Sequence, residues 1–474
     1  MAPATAAAFI AYFVVIAGIG YASLKRTHGL DDYAIGGRSL KAPVAALSAG
    51  ASDMSGWLLL GLPGAVYALG LSQSWIVIGL VAGAWCNWKW VAPRLRHASA
   101  ALDGARSLPQ LFARRMGGDR RALTVVATLV VLGFFTLYTA AGFVAGAKLF
   151  STTLGLDYAT ALWLGVAAIM LYTAVGGFLA VSWTDFFQAL LMMGALTVVA
   201  VLAFAELPAE RADIAIGAIA PVGAVSLAAW GLGYFGQPHV LARFMAIESV
   251  AAVPRARRIC MSWMVVSSAG ALAVGVLGAP YFAATGTGLA DPETVFIALC
   301  QALLHPAVAG FAVAAILAAV MSTVDSQLLV TATALVDDLP RIWKRVPSER
   351  QLLVASRLTV VAVAAAAGTV ATDPDSQVLG LVAYAWAGLG ASFGPALLFT
   401  LFWRRTSANG LIAGMVVGAT TVVGWRGLEG GVFDLYELLP AFLAACLAIW
   451  VISLVESGDP ASERAFDRSL ASAG

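Results

Sequence analysis

Ala51-Ser52-Asp53-Met54-Ser55-Gly56-Trp57 sits in the middle of an apolar run from about Pro43 to Leu69. The run is long enough to cross a bilayer. Midway along it, where a lipid-facing helix would carry Leu and Val, stand a carboxylate, two serines and a glycine. A charge at that depth is costly and marks function. Gly50 and Gly56 bracket the stretch, and glycine lets a backbone leave helical angles cheaply, so bared carbonyls are expected to face a cavity here. The stretch reads as half of an ion and substrate site.

Working outward, composition places that site in a membrane. The chain has 474 residues, 61% hydrophobic and only 11% charged, with a mean hydropathy of +0.87. A water-soluble domain of this length with that balance would aggregate. Cys86, Cys260, Cys300 and Cys446 stand singly in apolar surroundings, which indicates neither a disulfide framework nor a zinc site. Nor do the scattered His28, His97, His239 and His305 form HExxH. A nucleophile elbow and a phosphate loop are also lacking, so an enzyme is not expected. Nothing points to nucleic acid or to an obligate protein partner.

The first apolar run, about Ala6 to Ala22, is followed by Lys25 and Arg26, the reverse of a cleavable signal peptide. Further runs lie near 43–69, 72–92, 122–150, 159–179, 185–204, 218–245, 259–283, 306–336, 352–371, 377–402, 409–425 and 437–455, giving thirteen expected helices. With the N-terminus outside and the C-terminus cytoplasmic, all but Lys148, Arg211 and Arg426 of the 28 Lys and Arg fall inside or at inner helix ends. That asymmetry is the positive-inside pattern. The basic segment Arg94–Arg121, punctuated by Pro109, Gly117 and Gly118, reads as an inner amphipathic connector.

The second to sixth helices and the seventh to eleventh are two sets of five, and odd-numbered sets in series run in opposite directions. An inverted repeat is best recognised by interrupted segments at matching positions. The first helix of one set carries the Asp53 stretch. Its counterpart carries Trp230-Gly-Leu-Gly-Tyr234-Phe-Gly-Gln237-Pro238, where Gly231, Gly233, Gly236 and the proline will not hold a regular helix. Within the ninth helix lies Met321-Ser322-Thr323-Val324-Asp325-Ser326. Hydroxyl and carbonyl oxygens are what an alkali cation needs to replace its water, although Ser and Thr in membrane helices also bond their own carbonyls.

The stretches DDYAIGGRSLKAP, SAGASDMSGWLLLGLPGAVY, SLPQLFARR, LYTAAGFVAGAKLF, YTAVGGFLAVSWTDFFQA, WGLGYFGQPHVLARFMA and AAILAAVMSTVDSQLLV resemble, in register from about residue 20 to 405, the sodium/solute symporter family, most closely its sodium/proline branch. The resemblance implies an all-α polytopic protein with a LeuT-like five-plus-five inverted repeat. Its parts would be a flanking helix over 5–23, repeats over 42–204 and 218–403, two C-terminal helices over 407–456 and a cytoplasmic tail over 457–474. It also implies Na+ as coupling ion and uptake of L-proline by alternating access across a bacterial-type plasma membrane. By motif, sodium would be held by the carbonyls of Ala51, Met54 and Ala319 and the side chains of Ser322 and Thr323. Ser55, Gly56, Trp57, Tyr138, Trp230, Tyr234, Gln237 and Pro238 match positions linked to substrate. Arg38 matches an inner residue tied to sodium-coupled transport, and Asp53 belongs to the sodium-sensitive region through its neighbours' carbonyls.

A zwitterion with a compact apolar ring asks for aromatic walls and freed backbone groups, which Trp57, Tyr138, Trp230 and Tyr234 would furnish. Trp75, Trp85, Trp88 and Trp90 read instead as interfacial belt residues. Asp185, Asp325 and Ser326, with Ser322, would form a second cation site or an ion exit path if the sixth and ninth helices meet. The alternative is that Asp185 caps its helix near the inner surface and that Asp325 is hydrogen-bonded or protonated. Two other functions fit the sequence. The same fold would serve pantothenate, a monocarboxylate or another small solute, and a transporter-like sensor would need a signalling domain that the short tail does not supply.

Overall fold

The computed structural model describes residues 3–24, 30–118, 120–173, 177–207, 216–339, 348–456 and 458–471. Lys25, Arg26, Arg211, Arg341, Lys344 and Arg345, which carry part of the charge asymmetry, lie outside the described residues. Among those described there is no strand. The principal helices are α1 (Pro3–Leu24), α2 (Ala42–Asp53), α3 (Leu62–Leu69), α4 (Ser74–Cys86), α5 (Arg121–Leu154), α6 (Tyr158–Thr173), α7 (Phe178–Glu206) and α8 (Pro221–Ala228). They continue with α9 (Pro238–Ala246), α10 (Val253–Thr285), α11 (Pro306–Thr333), α12 (Glu349–Val370), α13 (Val378–Phe402), α14 (Ala408–Trp425), α15 (Leu438–Val455) and α16 (Pro460–Ala471).

Seven of these segments are long and apolar enough to cross a membrane, those built on α5, α7, α10, α11, α13, α14 and α15. Among the described residues, shorter apolar helical stretches run over Ala7–Ala22 in α1, Trp57–Leu69 across the first break into α3, Tyr158–Met170 in α6 and Val354–Val370 in α12. Burial sorts the long ones. Within their most apolar windows α11 and α13 are 83% buried, whereas α14 and α15 are 33% buried. Helices buried all round carry small and polar side chains at no cost in lipid contact, which is why α11 holds the Ser-Thr-Asp-Ser stretch. It packs against α1, α5, α7 and α2.

Both glycine-marked segments are broken, though not where glycine freedom alone would put the break. After Asp53 the chain leaves the helix at Met54, with φ −88° and ψ 77°. A π-helical turn over Trp57–Gly61 then leads into α3. Gly50 lies within α2, and Gly56 has helical angles of φ −50° and ψ −22°. Their smallness serves close approach instead: a Cβ on Gly56 would stand 2.7 Å from Ala145 Cβ, and one on Gly50 would stand 2.7 Å from the Trp263 ring. The second break begins as an eight-residue 3-10 run, Ala229–Gly236, and completes at Gln237, whose φ of −92° and ψ of 100° are extended. Runs of 3-10 helix that long are uncommon because their hydrogen bonds are poorer. Here α4 crosses the run backbone to backbone, since a Cβ on Gly79, Gly83 or Gly231 would collide with the facing peptide.

Two elements were not legible as such. Val295–Leu303 is a short apolar helix between α10 and α11. The polar tail folds as α16, held by Arg115, whose Nη1 donates to Ser462 O at 2.7 Å and Ser462 Oγ at 2.6 Å, and by Arg404, bonded to Glu463 and Asp467. The basic connector contains the helix Leu108–Arg115, buried inside the protein on most of its residues rather than laid along the membrane surface. Its Gln110 donates to Asp337 at 3.0 Å and Asp338 at 2.6 Å, in the π-helical turn Ala334–Asp338 that follows α11.

Candidate functional site

The last turn of α2 meets the middle of α11. There Ser322 Oγ donates to Ala51 O at 2.9 Å and to Ala319 O at 3.0 Å. Thr323 Oγ1 reaches the same two carbonyls at 3.4 and 3.2 Å. Four hard oxygens from two helices thus converge in a place sealed from solvent, all four residues being at most 1% exposed. Met54 is buried at the break itself, one turn beyond Ala51. Oxygen atoms without a competing positive donor are the ligand set that suits an alkali cation.

Beside this cluster stand the aromatic residues. Tyr138 Oη and Trp57 Nε1 each donate to Asp53 O at 3.3 Å, which fastens α5 and the π-turn to the broken end of α2. The Asp53 carboxylate accepts from Tyr234 Oη through Oδ2, and its Oδ1 has no protein partner. Trp57 N donates to Ser55 Oγ at 3.5 Å. Across the gap, the Trp57 and Trp230 rings lie 5.9 Å apart. Gln237 Nε2 donates to Gly233 O and Trp386 O, both at 3.2 Å, and Pro238 opens α9 directly below. The structure therefore brings Ser55, Gly56, Trp57, Tyr138, Trp230, Tyr234, Gln237 and Pro238 around the two breaks.

Three neighbours of this group escaped the sequence reading. Trp386 of α13 donates Nε1 to Trp230 O at 2.8 Å and stacks on Trp230 with centroids 6.4 Å apart. Tyr436 also stacks on Trp230, with centroids 5.5 Å apart. Asn87 Nδ2 donates to Tyr234 O at 2.9 Å. Trp386 sits in an otherwise ordinary apolar run, where nothing distinguishes a packed indole from a binding one. Asn87 had a signal: a lone amide inside an apolar run needs partners.

Arg38 lies away from the oxygen cluster. Held at φ 58°, its guanidinium donates to Ser99 Oγ at 2.8 Å, Ser99 O at 3.1 Å, Ala105 O at 2.9 Å and Met245 O at 3.4 Å. It thereby laces the segment before α2 to the connector and to the end of α9, where Leu40 and Ile247 also pair.

The second constellation looks different from its sequence. Asp185 does not cap a helix, because α7 begins at Phe178 with Gly177 as N-cap, and Asp185 lies two turns inside. Its Oδ2 accepts from Ser48 Oγ at 2.6 Å and from Arg243 Nη2 at 3.0 Å. Arg243 Nη2 also donates to Ser326 Oγ, and Nε donates to Ser48 Oγ at 3.0 Å. Asp325 is buried on the same stretch of α11. By its place in the sequence Arg243 falls at an inner helix end. In the structure it is fully buried on α9, a protein cation set among the residues read as a second cation site.

The sodium:solute symporter family profile matches residues 33–418. The high-affinity proline transporter PutP of Bacillus subtilis is 48% identical over 451 residues, covering 92% of this chain and 95% of that one. The sodium/proline symporters of Salmonella typhimurium and Escherichia coli are each 48% identical over 465 residues, 94% of this chain and 92% of theirs. Among solved structures, a Na+-coupled sialic acid symporter superposes with a TM-score of 0.81 at 17% identity, over 96% of this chain and 98% of its own. A nucleobase-cation-symport-1 family transporter superposes with a TM-score of 0.53 at 16% identity, over 92% of this chain and 97% of its own. Identities this low speak to the fold alone.

Proposed function

The chain belongs to the sodium:solute symporter family, and from that premise we propose that it is a secondary active transporter carrying L-proline inward with Na+. It is a multi-pass protein of the plasma membrane. The observation that carries the reading is the convergence of Ala51 O, Ala319 O, Ser322 Oγ and Thr323 Oγ1 between a broken helix and α11. Sodium is held there, with Met54 O completing the set. Proline lies alongside, its ring against Trp57, Tyr138, Trp230 and Tyr234, with the backbone freed around Ser55 and Gly56 taking the carboxylate.

Thirteen spans, arranged as a LeuT-like five-plus-five inverted repeat with one helix before and two after, give the site its alternating access. The N-terminus is outside and the C-terminus cytoplasmic. Coupling follows from linkage. Sodium ordering the break at Met54 presents a preformed pocket, so each ligand tightens the other by the same factor. Arg38, bound to Ser99, Ala105 and Met245, closes the inner side. Asp185, Asp325 and Ser326 tune coupling from below, Arg243 supplying the positive charge between them.

Uptake of radiolabelled proline by proteoliposomes tests the reading. Accumulation above equilibrium is expected with an inward sodium gradient and not without one. Pantothenate or a monocarboxylate driven by that gradient, with proline left behind, would reassign the cargo while keeping the fold.

A further inference from the structure

Far from the transport site, Trp85 and Trp90 project from the face shared by α4, the π-turn Asn87–Val91 and the start of α10. They are 43% and 52% exposed, and their rings meet edge to face at 5.7 Å. Lys89 Nζ lies 5.8 Å from the centre of the Trp85 ring, and the Arg257 guanidinium carbon lies 5.9 Å from it. Two cations on one indole stand no more than about 12 Å apart, close to one Debye length. Arg255 and Arg258 follow on the same first turns of α10 and are exposed. Among the described residues no carboxylate pairs with any of the four, and the neighbouring Glu248 is taken by Lys41.

Gathering like charges without a counter-ion is unfavourable unless an anion completes the set. What lies next to them tells which anion. Along the helices away from these charges, Ile78, Val265 and Val266 are 50%, 50% and 45% exposed, an apolar surface that suits acyl chains. The charges therefore mark the line where the apolar belt ends, with indoles at headgroup depth.

We propose that Lys89 and Arg257, both against the Trp85 indole beside Trp90, bind the headgroup of an anionic phospholipid whose chains lie along Ile78, Val265 and Val266, with Arg255 and Arg258 adding positive charge from the same turns of α10. The cations engage the phosphate, while the indole holds two of them in place from below. A basic patch at the water boundary of the helices attracts charged over zwitterionic lipid.

The test uses the full chain in mild detergent. Native mass spectrometry counts retained phosphatidylglycerol and phosphatidylcholine for the wild type, for K89Q/R257Q, and for K89R/R257K as a charge-keeping control. Each cation near an anionic surface is worth about fivefold in affinity, so the neutralised variant is expected to hold phosphatidylglycerol about 25-fold more weakly, with the control unchanged. Trp85→Leu, which keeps every charge and removes the platform, is expected to weaken it about two- to fivefold. Equal retention of the two lipids by the wild type, or undiminished phosphatidylglycerol on K89Q/R257Q, would overturn the proposal. So would displacement by millimolar inorganic phosphate, which would mark a soluble-anion site.

Discussion

Ser322→Ala removes one of the four converging oxygens while leaving a residue of nearly the same volume in α11. In the structure Ser322 Oγ is the closer of the two hydroxyls to both carbonyls, at 2.9 and 3.0 Å against 3.4 and 3.2 Å for Thr323. Without the ion, its loss costs one pair of neutral hydrogen bonds, and Thr323 remains to cover Ala51 O and Ala319 O. With the ion bound, the loss is of a contact to a full charge, worth about 1.5–3 kcal/mol. Set against about 1 kcal/mol for the neutral bonding lost without the ion, the difference of about 0.5–2 kcal/mol predicts a rise of roughly two- to thirtyfold in the sodium concentration for half-maximal proline uptake. Because the two ligands are coupled, apparent proline affinity at sub-saturating sodium should fall as well and recover as sodium is raised. Initial rates in proteoliposomes over a grid of both ligands measure this directly. A variant with unaltered sodium dependence, or one with a lower maximal rate and the same half-saturation, would refute the assignment of Ser322 to the ion.

Two further outcomes follow from packing. Arg243→Met should lower the thermal inactivation midpoint strongly, because breaking a buried pair leaves Asp185 uncompensated at a cost of about 3–5 kcal/mol. The double variant Asp185→Asn/Arg243→Met should be more stable than Arg243→Met alone, and equal midpoints for the two would remove the pairing as the cause. Gly233→Ala should abolish transport, since the added Cβ would overlap the Trp386 indole and displace it from Trp230 O. Normal uptake with retained intrinsic fluorescence would show that the contact is dispensable.

Both interrupted helices were legible, because glycine, proline and a carboxylate inside apolar runs each break a local rule and do so in sequence. Ser322 and Thr323 were legible for the same reason. What escaped depends on three-dimensional neighbours. Gly50 and Gly56 looked like sources of backbone freedom, yet both are helical and small because Trp263 and Ala145 press against them. Arg243 looked like one more inner-end charge, since its partners Ser48, Asp185 and Ser326 arrive from positions 195, 58 and 83 residues away along the chain. Trp386 completed the aromatic group from a run whose pattern says only that it is apolar, and Tyr436 from the connection just before α15. The tail's polar composition concealed α16, whose stability comes from Arg115 and Arg404 rather than from a core of its own.

The eight residues Ala229–Gly236 are wound more thinly than the helices on either side. A 3-10 turn advances about 2.0 Å per residue against about 1.5 Å in an α-helix. Rewinding that stretch would draw α9 toward α8 by ~4 Å without lengthening any loop. Pro238, Arg243 and the strap that Arg38 makes to Met245 would travel with it. The segment thus holds its own stroke length, like slack coiled into a cable, with the indole of Trp386 bearing on the strand that would have to turn.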